Sequence, residues 1–185
     1  MRYFLLVCGC ALMLSGPASA ITVVVHSGLA QDCYLATLKD PTPENDRQAI
    51  AVCTQAVANS QNDEYDQMAA LVNRADVRLR MSDFQNAAAD SEQALLLEGD
   101  QPVAHLNRGA ALVGLRRYPE AIAALDRAIA LNIQPLQVAY FNRALAKEAL
   151  GDVPGAYHDY KAAVDLDPKF QLAAEELSRF TVIER

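Results

Sequence analysis

The 185-residue chain predicts an all-α fold: a solenoid of stacked helical hairpins closed by a C-terminal capping helix. Three observations point there. Asn73-Arg74-Ala75, Asn107-Arg108-Gly109 and Asn142-Arg143-Ala144 repeat one tripeptide at separations of 34 and 35 residues. Small residues recur in phase behind each triplet: Ala87 and Ala94, Ala121 and Ala128, Ala156 and Ala163. Each interval also holds two apolar stretches with a period of three to four residues, as packed helices require. One such unit cannot bury its apolar face alone, so neighbours must stack into a continuous core. A surface of this kind serves docking, and binding rather than chemistry is the leading functional reading.

The third unit, 136–168, is the most regular. Its first helix runs from about Leu136 to Leu150. Gly151-Asp152 ends that helix and begins the next, because glycine takes a left-handed cap and aspartate accepts from helix-start amides. A second helix follows from about Pro154 to Leu166, and Asp167-Pro168 closes the unit. The second unit, 101–135, repeats the plan with Pro102 to Leu115 and Tyr118 to Leu131, Arg116-Arg117 standing where glycine would turn the chain. Asn132 to Gln134 hold its extra residue. The first unit, 64–100, pairs Tyr65 to Arg80 with Phe84 to Leu97, a capping turn at Ser82-Asp83 between them and Gly99-Asp100 at the end.

The flanks are less regular. Residues 169–185 read as a capping helix, Lys169 to Val182, with Phe170, Ala173, Ala174, Leu177 and Phe180 covering the last unit. Residues 21–63 read as an irregular hairpin: helix from Gln31 to Leu38, a break at Pro41 and Pro43, then helix from Asp46 to Ala58. Ile21 to Val25 has strand propensity without an evident partner strand. Residues 1–20 read as a cleaved signal peptide, from basic Arg2, the apolar run Phe4 to Leu14 and the small residues Pro17-Ala18-Ser19-Ala20. Val7-Cys8-Gly9-Cys10 resembles a lipoprotein cleavage box. The apolar run continues past Cys10 and only nine residues precede it, which argues against a lipid anchor there. The run is also too short to span a bilayer comfortably. The expected location is the periplasm or the secreted space.

Two cysteines remain after cleavage, Cys33 and Cys53. In an exported chain an even count suggests a structural disulfide. The net charge of −7 becomes −8 when Arg2 leaves with the leader. No basic patch is available for a phosphate backbone or an anionic bilayer, so nucleic acid and stable membrane attachment are both disfavoured as partners.

These positions resemble the tetratricopeptide repeat (TPR) family. Leu71/Ala75/Ala87/Ala94, His105/Gly109/Ala121/Ala128 and Tyr140/Ala144/Ala156/Ala163/Pro168 match its 34-residue pattern over about Met68 to Pro168. His105 in the large early position and Ile133 in place of proline depart from it. The resemblance implies a right-handed superhelix whose first helices line a concave groove. It places Asn73, Asn107 and Asn142 where a carboxamide meets an extended peptide backbone, an arrangement that suits any sequence because the amide both donates and accepts. The alternative is that these asparagines satisfy neighbouring helices. Val72, Leu106 and Phe141, Val103 and Val138, and Asp76, Arg80 and Glu148 are the other candidate groove residues. The family's clamp for a terminal carboxylate needs inward-facing basic residues, whereas Ala69, Asp76, Ala110 and Leu145 stand at the corresponding places here. Arg74, Arg108 and Arg143 form a column whose stems suit covering apolar surface and whose heads suit pairing with acids on the adjacent hairpin, such as Asp90, Asp126 or Asp159, better than anion binding.

Nothing in the chain favours an enzyme. Phosphate-loop, His-Glu-x-x-His and nucleophile-elbow motifs are missing, and no cofactor or metal is implied. His158 and Asp159 are adjacent on one helix and do not face each other. His105 reads as a packing residue, while Glu175 and Glu176 read as solvent-facing. The leading function is a non-enzymatic adaptor that holds a protein or extended peptide in the groove. The alternative is a structural subunit of an envelope complex, binding through convex or end surfaces, and the solenoid ends also suit self-association.

Overall fold

The computed structural model describes residues 3–6, 28–59 and 63–183. The helices are α1 (Gly28–Thr37), α2 (Pro43–Asn59), α3 (Glu64–Arg80), α4 (Phe84–Leu97), α5 (Pro102–Gly114), α6 (Tyr118–Ala130), α7 (Leu136–Ala149), α8 (Val153–Leu166) and α9 (Gln171–Ser178). Two short strands, β1 (Tyr3–Leu6) and β2 (Phe180–Ile183), complete the described elements. Consecutive helices pair as hairpins: α1 with α2, α3 with α4, α5 with α6, and α7 with α8. The second helix of each hairpin packs on the first of the next, and α9 caps α8. The first helices α1, α3, α5 and α7 also touch in succession, forming one side of the solenoid.

The in-phase alanines occupy the tightest crossings. Ala75, Ala87, Ala94, Ala121, Ala128, Ala144, Ala156 and Ala163 are all fully buried. Close helix approach excludes longer side chains there, while Leu71, Leu112, Leu125 and Tyr160 fill the space between. Gly109 shows the same logic in reverse. A Cβ at this position would lie 2.5 Å from Leu125 Cγ, so the second unit exchanges alanine for glycine to admit leucine from α6.

All three repeat turns close alike. In each, the residue after the C-cap takes positive φ: Ser82 (59°), Arg116 (60°) and Gly151 (81°). The next amide then reaches back to the final turn, Asp83 N to Arg78 O at 2.8 Å, Arg117 N to Leu112 O at 2.9 Å and Asp152 N to Lys147 O at 2.9 Å. This is the Schellman closure, which satisfies carbonyls that the helix end leaves open. Asp152 caps α8 as its sequence predicts, accepting from Gly155 N at 3.0 Å. Asp83 instead accepts from the Asn86 side chain and leaves α4 without a side-chain cap.

The flanks depart from expectation at both ends: α1 begins at Gly28 and not Gln31, and α2 begins at Pro43, which opens the helix where no amide proton is needed, and not at Asp46. The capping helix does not run from Lys169 to Val182; α9 ends at Ser178 and the chain continues as β2, antiparallel to β1, with Tyr3 opposite Ile183. Phe180 is buried against Tyr157 and Tyr160, and the β-branched run Thr181-Val182-Ile183 favours extended backbone. The all-α solenoid therefore carries a two-stranded ribbon. Tyr3–Leu6 lies inside the segment expected to leave as a signal peptide. The expected strand Ile21 to Val25 lies outside the described residues. At the other end, Cys33 and Cys53 are bonded, with Cα atoms 4.5 Å apart, and both are buried between α1 and α2.

Candidate functional site

The asparagine column lies on α3, α5 and α7, the first helices of successive hairpins, and all three side chains are buried. Asn107 Nδ2 donates across the hairpin boundary to the carbonyl of Val72 at 3.2 Å. Asn142 Nδ2 donates one turn back along its own helix to Val138 O at 2.9 Å. Asn107 and Asn142 thus each spend a donor on the protein's own backbone. This is the helix-satisfying role that the sequence left open beside the peptide ladder.

Val72, Leu106 and Phe141, with Val103 and Val138, gather on the same side but are buried in the main core. They are not open groove walls in this structure. Phe141 is covered by aromatic contacts, its ring centroid 5.3 Å from Phe170 and 5.9 Å from Tyr160. Phe170, at the start of the cap, thereby closes the last unit.

Of the three remaining candidates, Arg80 and Glu148 are engaged in polar networks and Asp76 is buried beside one of them. Arg80 donates to Asp46 Oδ1 at 2.9 Å and to the carbonyl of Thr37 at 3.1 Å, tying α3 to both helices of the first hairpin. Asp76, one turn earlier, is 2% exposed, and burial pushes its carboxyl up to about 7, against the pull of Arg80 and with the help of Asp46. Glu148 accepts from the Tyr160 hydroxyl at 2.9 Å and from Arg179 Nη2 at 2.7 Å, joining α7 and α8 to the turn after α9. Burial, then the Glu148 charge, raises the Tyr160 hydroxyl pKa. Tyr160 and Arg179 were not singled out in the sequence. The available signal was a large aromatic at the helix position that holds Ser91 and Leu125 in the other units.

The arginine column is structural. Arg74 forms a two-pronged pair with Asp90, Nε to Oδ2 at 2.8 Å and Nη2 to Oδ1 at 2.7 Å, and also donates to Thr54 on α2. Arg143 repeats the fork on Asp159 at 2.7 Å for both bonds and reaches Asp126 at 2.6 Å. Burial opposes the Arg143 charge, but these acids outweigh it and hold its pKa above the usual value. Arg108 departs from the pattern and takes Glu92 at 3.2 Å instead of Asp126. Asp90 and Asp159 thus sit in the same hairpin as their arginines and not in the adjacent one expected, because the paired helix lies nearest, while Glu92 and Asp126 come from the preceding hairpin.

Two of the three histidines lie among the described residues, and His26 lies outside them. His105 Nε2 lies 2.9 Å from Gly99 O, and burial lowers its pKa. His158 is exposed beside the Tyr157 ring, while Asp159 serves Arg143 and Lys147. Among the described residues, no three His, Cys, Asp or Glu side chains assemble as a metal site, and no helix is long and apolar enough to cross a membrane.

Four hairpins in this arrangement, with small residues at the crossings and a capping helix, define a tetratricopeptide-type solenoid. Residues 16–184 match the model of the ETO1 C-terminal domain, and the chain belongs to that family. It is 30% identical over 158 residues to ETO1-like protein 1 of Arabidopsis thaliana, a match covering 82% of this chain but 17% of that protein's length. Among solved structures, MamA residues 41-end from Desulfovibrio magneticus RS-1 is similar at a TM-score of 0.64 and 20% identity, over 82% of each chain. The first TPR domain of Spaghetti (RPAP3), solved with the HSP90 peptide SRMEEVD, is similar at a TM-score of 0.56 and 24% identity. That match covers 60% of this chain and 88% of the domain.

Proposed function

We propose that the chain is a non-enzymatic adaptor that binds a protein or extended peptide on the face formed by α1, α3, α5 and α7, after export to an oxidising compartment such as the periplasm. The in-phase asparagine column on that face motivates the reading, since it places a carboxamide at the same position of the first helix in three successive hairpins. The Spaghetti domain holds its peptide on the same hairpin fold. The ligand differs in kind here, because Ala69, Asp76, Ala110 and Leu145 supply no inward cation for a terminal carboxylate. Export is supported by the basic, apolar and small-residue order of residues 1–20 and by the Cys33–Cys53 bond.

A second reading places binding on the convex side, as expected of a structural subunit. Leu96, on α4 and 86% exposed, favours it. Capture from native envelope extract separates the two. Mature protein is compared with the Asn107→Ala/Asn142→Ala and Leu96→Glu variants, helical content being checked by circular dichroism. Each asparagine deletion costs stability by only about 1 kcal/mol per lost hydrogen bond, so the fold is retained. Loss of a specific partner in the asparagine variant alone supports the groove. Equal recovery by that variant, with loss in Leu96→Glu, moves the site to the convex face.

A further inference from the structure

Where the first hairpin meets the repeat stack, three charged side chains share too few hydrogen bonds. Arg80 on α3 spends Nη2 on Asp46 of α2 and Nη1 on the carbonyl that ends α1. Asp76, also on α3, is left with Arg80 Nη1 at 4.0 Å, beyond hydrogen-bond reach. Asp76 Oδ2 is buried without a hydrogen-bond partner, and so is Arg80 Nε. Two buried carboxylates thus compete for one guanidinium, and Asp46 has won it.

Other charges nearby are committed elsewhere. On α4, Asp90 is taken by Arg74 and Arg78. On α5, His105 turns to Gly99 and Arg108 to Glu92. Thr37 contributes its carbonyl to Arg80, while its hydroxyl donates to Tyr34 O. Lys39, between α1 and α2, donates to Gln48 at the surface. Among the described residues, Asp46 and Arg80 are therefore the charged groups that act on Asp76, one opposing its ionisation and the other favouring it.

We propose that Asp76 is a proton-controlled latch: protonated, it lets the α1–α2 hairpin dock on α3; ionised, it leaves an unshared buried charge that loosens the docking. The physical reason is that a buried carboxylate without hydrogen bonds costs far more than the neutral acid. The sign follows directly. The folded carboxyl is raised to about 7 from 3.8, so its contribution is fully present below about pH 4. It is lost as pH rises towards 7, then stays level. Docking therefore weakens progressively across that window.

The test is hydrogen exchange of amides in 28–59 from pH 4 to 8, corrected for intrinsic rates, on the disulfide-intact protein. Wild type is expected to lose protection in α1 and α2 as pH rises, relative to α7 and α8. Asp76→Asn, which mimics the neutral acid, removes that differential. Asp46→Asn releases Arg80 to Asp76 and shifts the loss to lower pH. A wild-type profile without differential loss overturns the latch. So does an Asp76→Asn protein that keeps the differential, or an Asp46→Asn protein whose transition stays in place.

Discussion

Arg74 and Arg108 occupy the same place in consecutive repeats, yet their surroundings give them different weights. Arg74 forks onto Asp90, which is 2% exposed and also holds Arg78 at 2.5 Å. Arg108 makes a single bond to half-exposed Glu92. Removing one member of a buried pair leaves its partner desolvated, at a cost of about 3–5 kcal/mol, whereas an exposed pair contributes about 0–1 kcal/mol. Asp90 keeps Arg78 when Arg74 is removed, so urea denaturation should show Arg74→Ala losing about 2 kcal/mol, as for charged hydrogen bonds, and Arg108→Ala less than about 1 kcal/mol. Equal losses would show that burial does not set the difference. The column itself was legible from the repeated triplet. The particular acids were not, because helix spacing leaves several carboxylates within reach and packing selects among them.

Helix termini show how one geometry accepts different residues. The turns after α3, α5 and α7 all need a left-handed residue, and the third alone has glycine. Ser82 and Arg116 adopt the same conformation at a steric cost of about 1–2 kcal/mol for a side chain in that region. Arg116 is exposed and its guanidinium makes no ion pair among the described residues. Replacing it with glycine should raise the thermal midpoint, with a gain of up to about 1 kcal/mol, since glycine gives back part of the relief through backbone entropy. A lowered midpoint would show that Arg116 has a stabilising contact. The helix bounds of the repeats were readable within a residue or two, because apolar periodicity and turn residues agree there. The cap was not. Leu177 and Phe180 keep helical spacing, yet Phe180 is buried on Tyr157 and Tyr160 from a strand.

Across the whole solenoid, each hairpin leans mainly on its neighbours, so local losses are felt locally before they are felt globally. The first hairpin packs through small clusters around Cys33 and Cys53, Ala30 and Ala69, and Ala36, Ala49 and Val77. Its disulfide closes a separation of 20 residues. In the chain-entropy description, a loop of that size contributes about 3 kcal/mol. Cys33→Ala/Cys53→Ala should therefore expose 28–59 to proteolysis well before 64–168, leaving a protected repeat fragment. Simultaneous digestion of both regions would show that the hairpin and repeats unfold as one unit. The cysteine count suggested the bond, but the Asp46–Arg80–Asp76 cluster at the same boundary spans α2 and α3 and had no local signature.

Periodicity, recurrent alanines and turn residues were sufficient to specify paired helices, their order and their stacking, because each is a short-range constraint written into neighbouring residues. Which face remains open, which acid meets which arginine and which carboxyl lacks a partner depend on contacts between hairpins. The asparagine triplet marks the boundary between the two. Its recurrence is plain in the sequence, but only the approach of α5 to α3 directs Asn107 onto the carbonyl of Val72. A buried amide takes a carbonyl lone pair within reach, and the assembled fold supplies it.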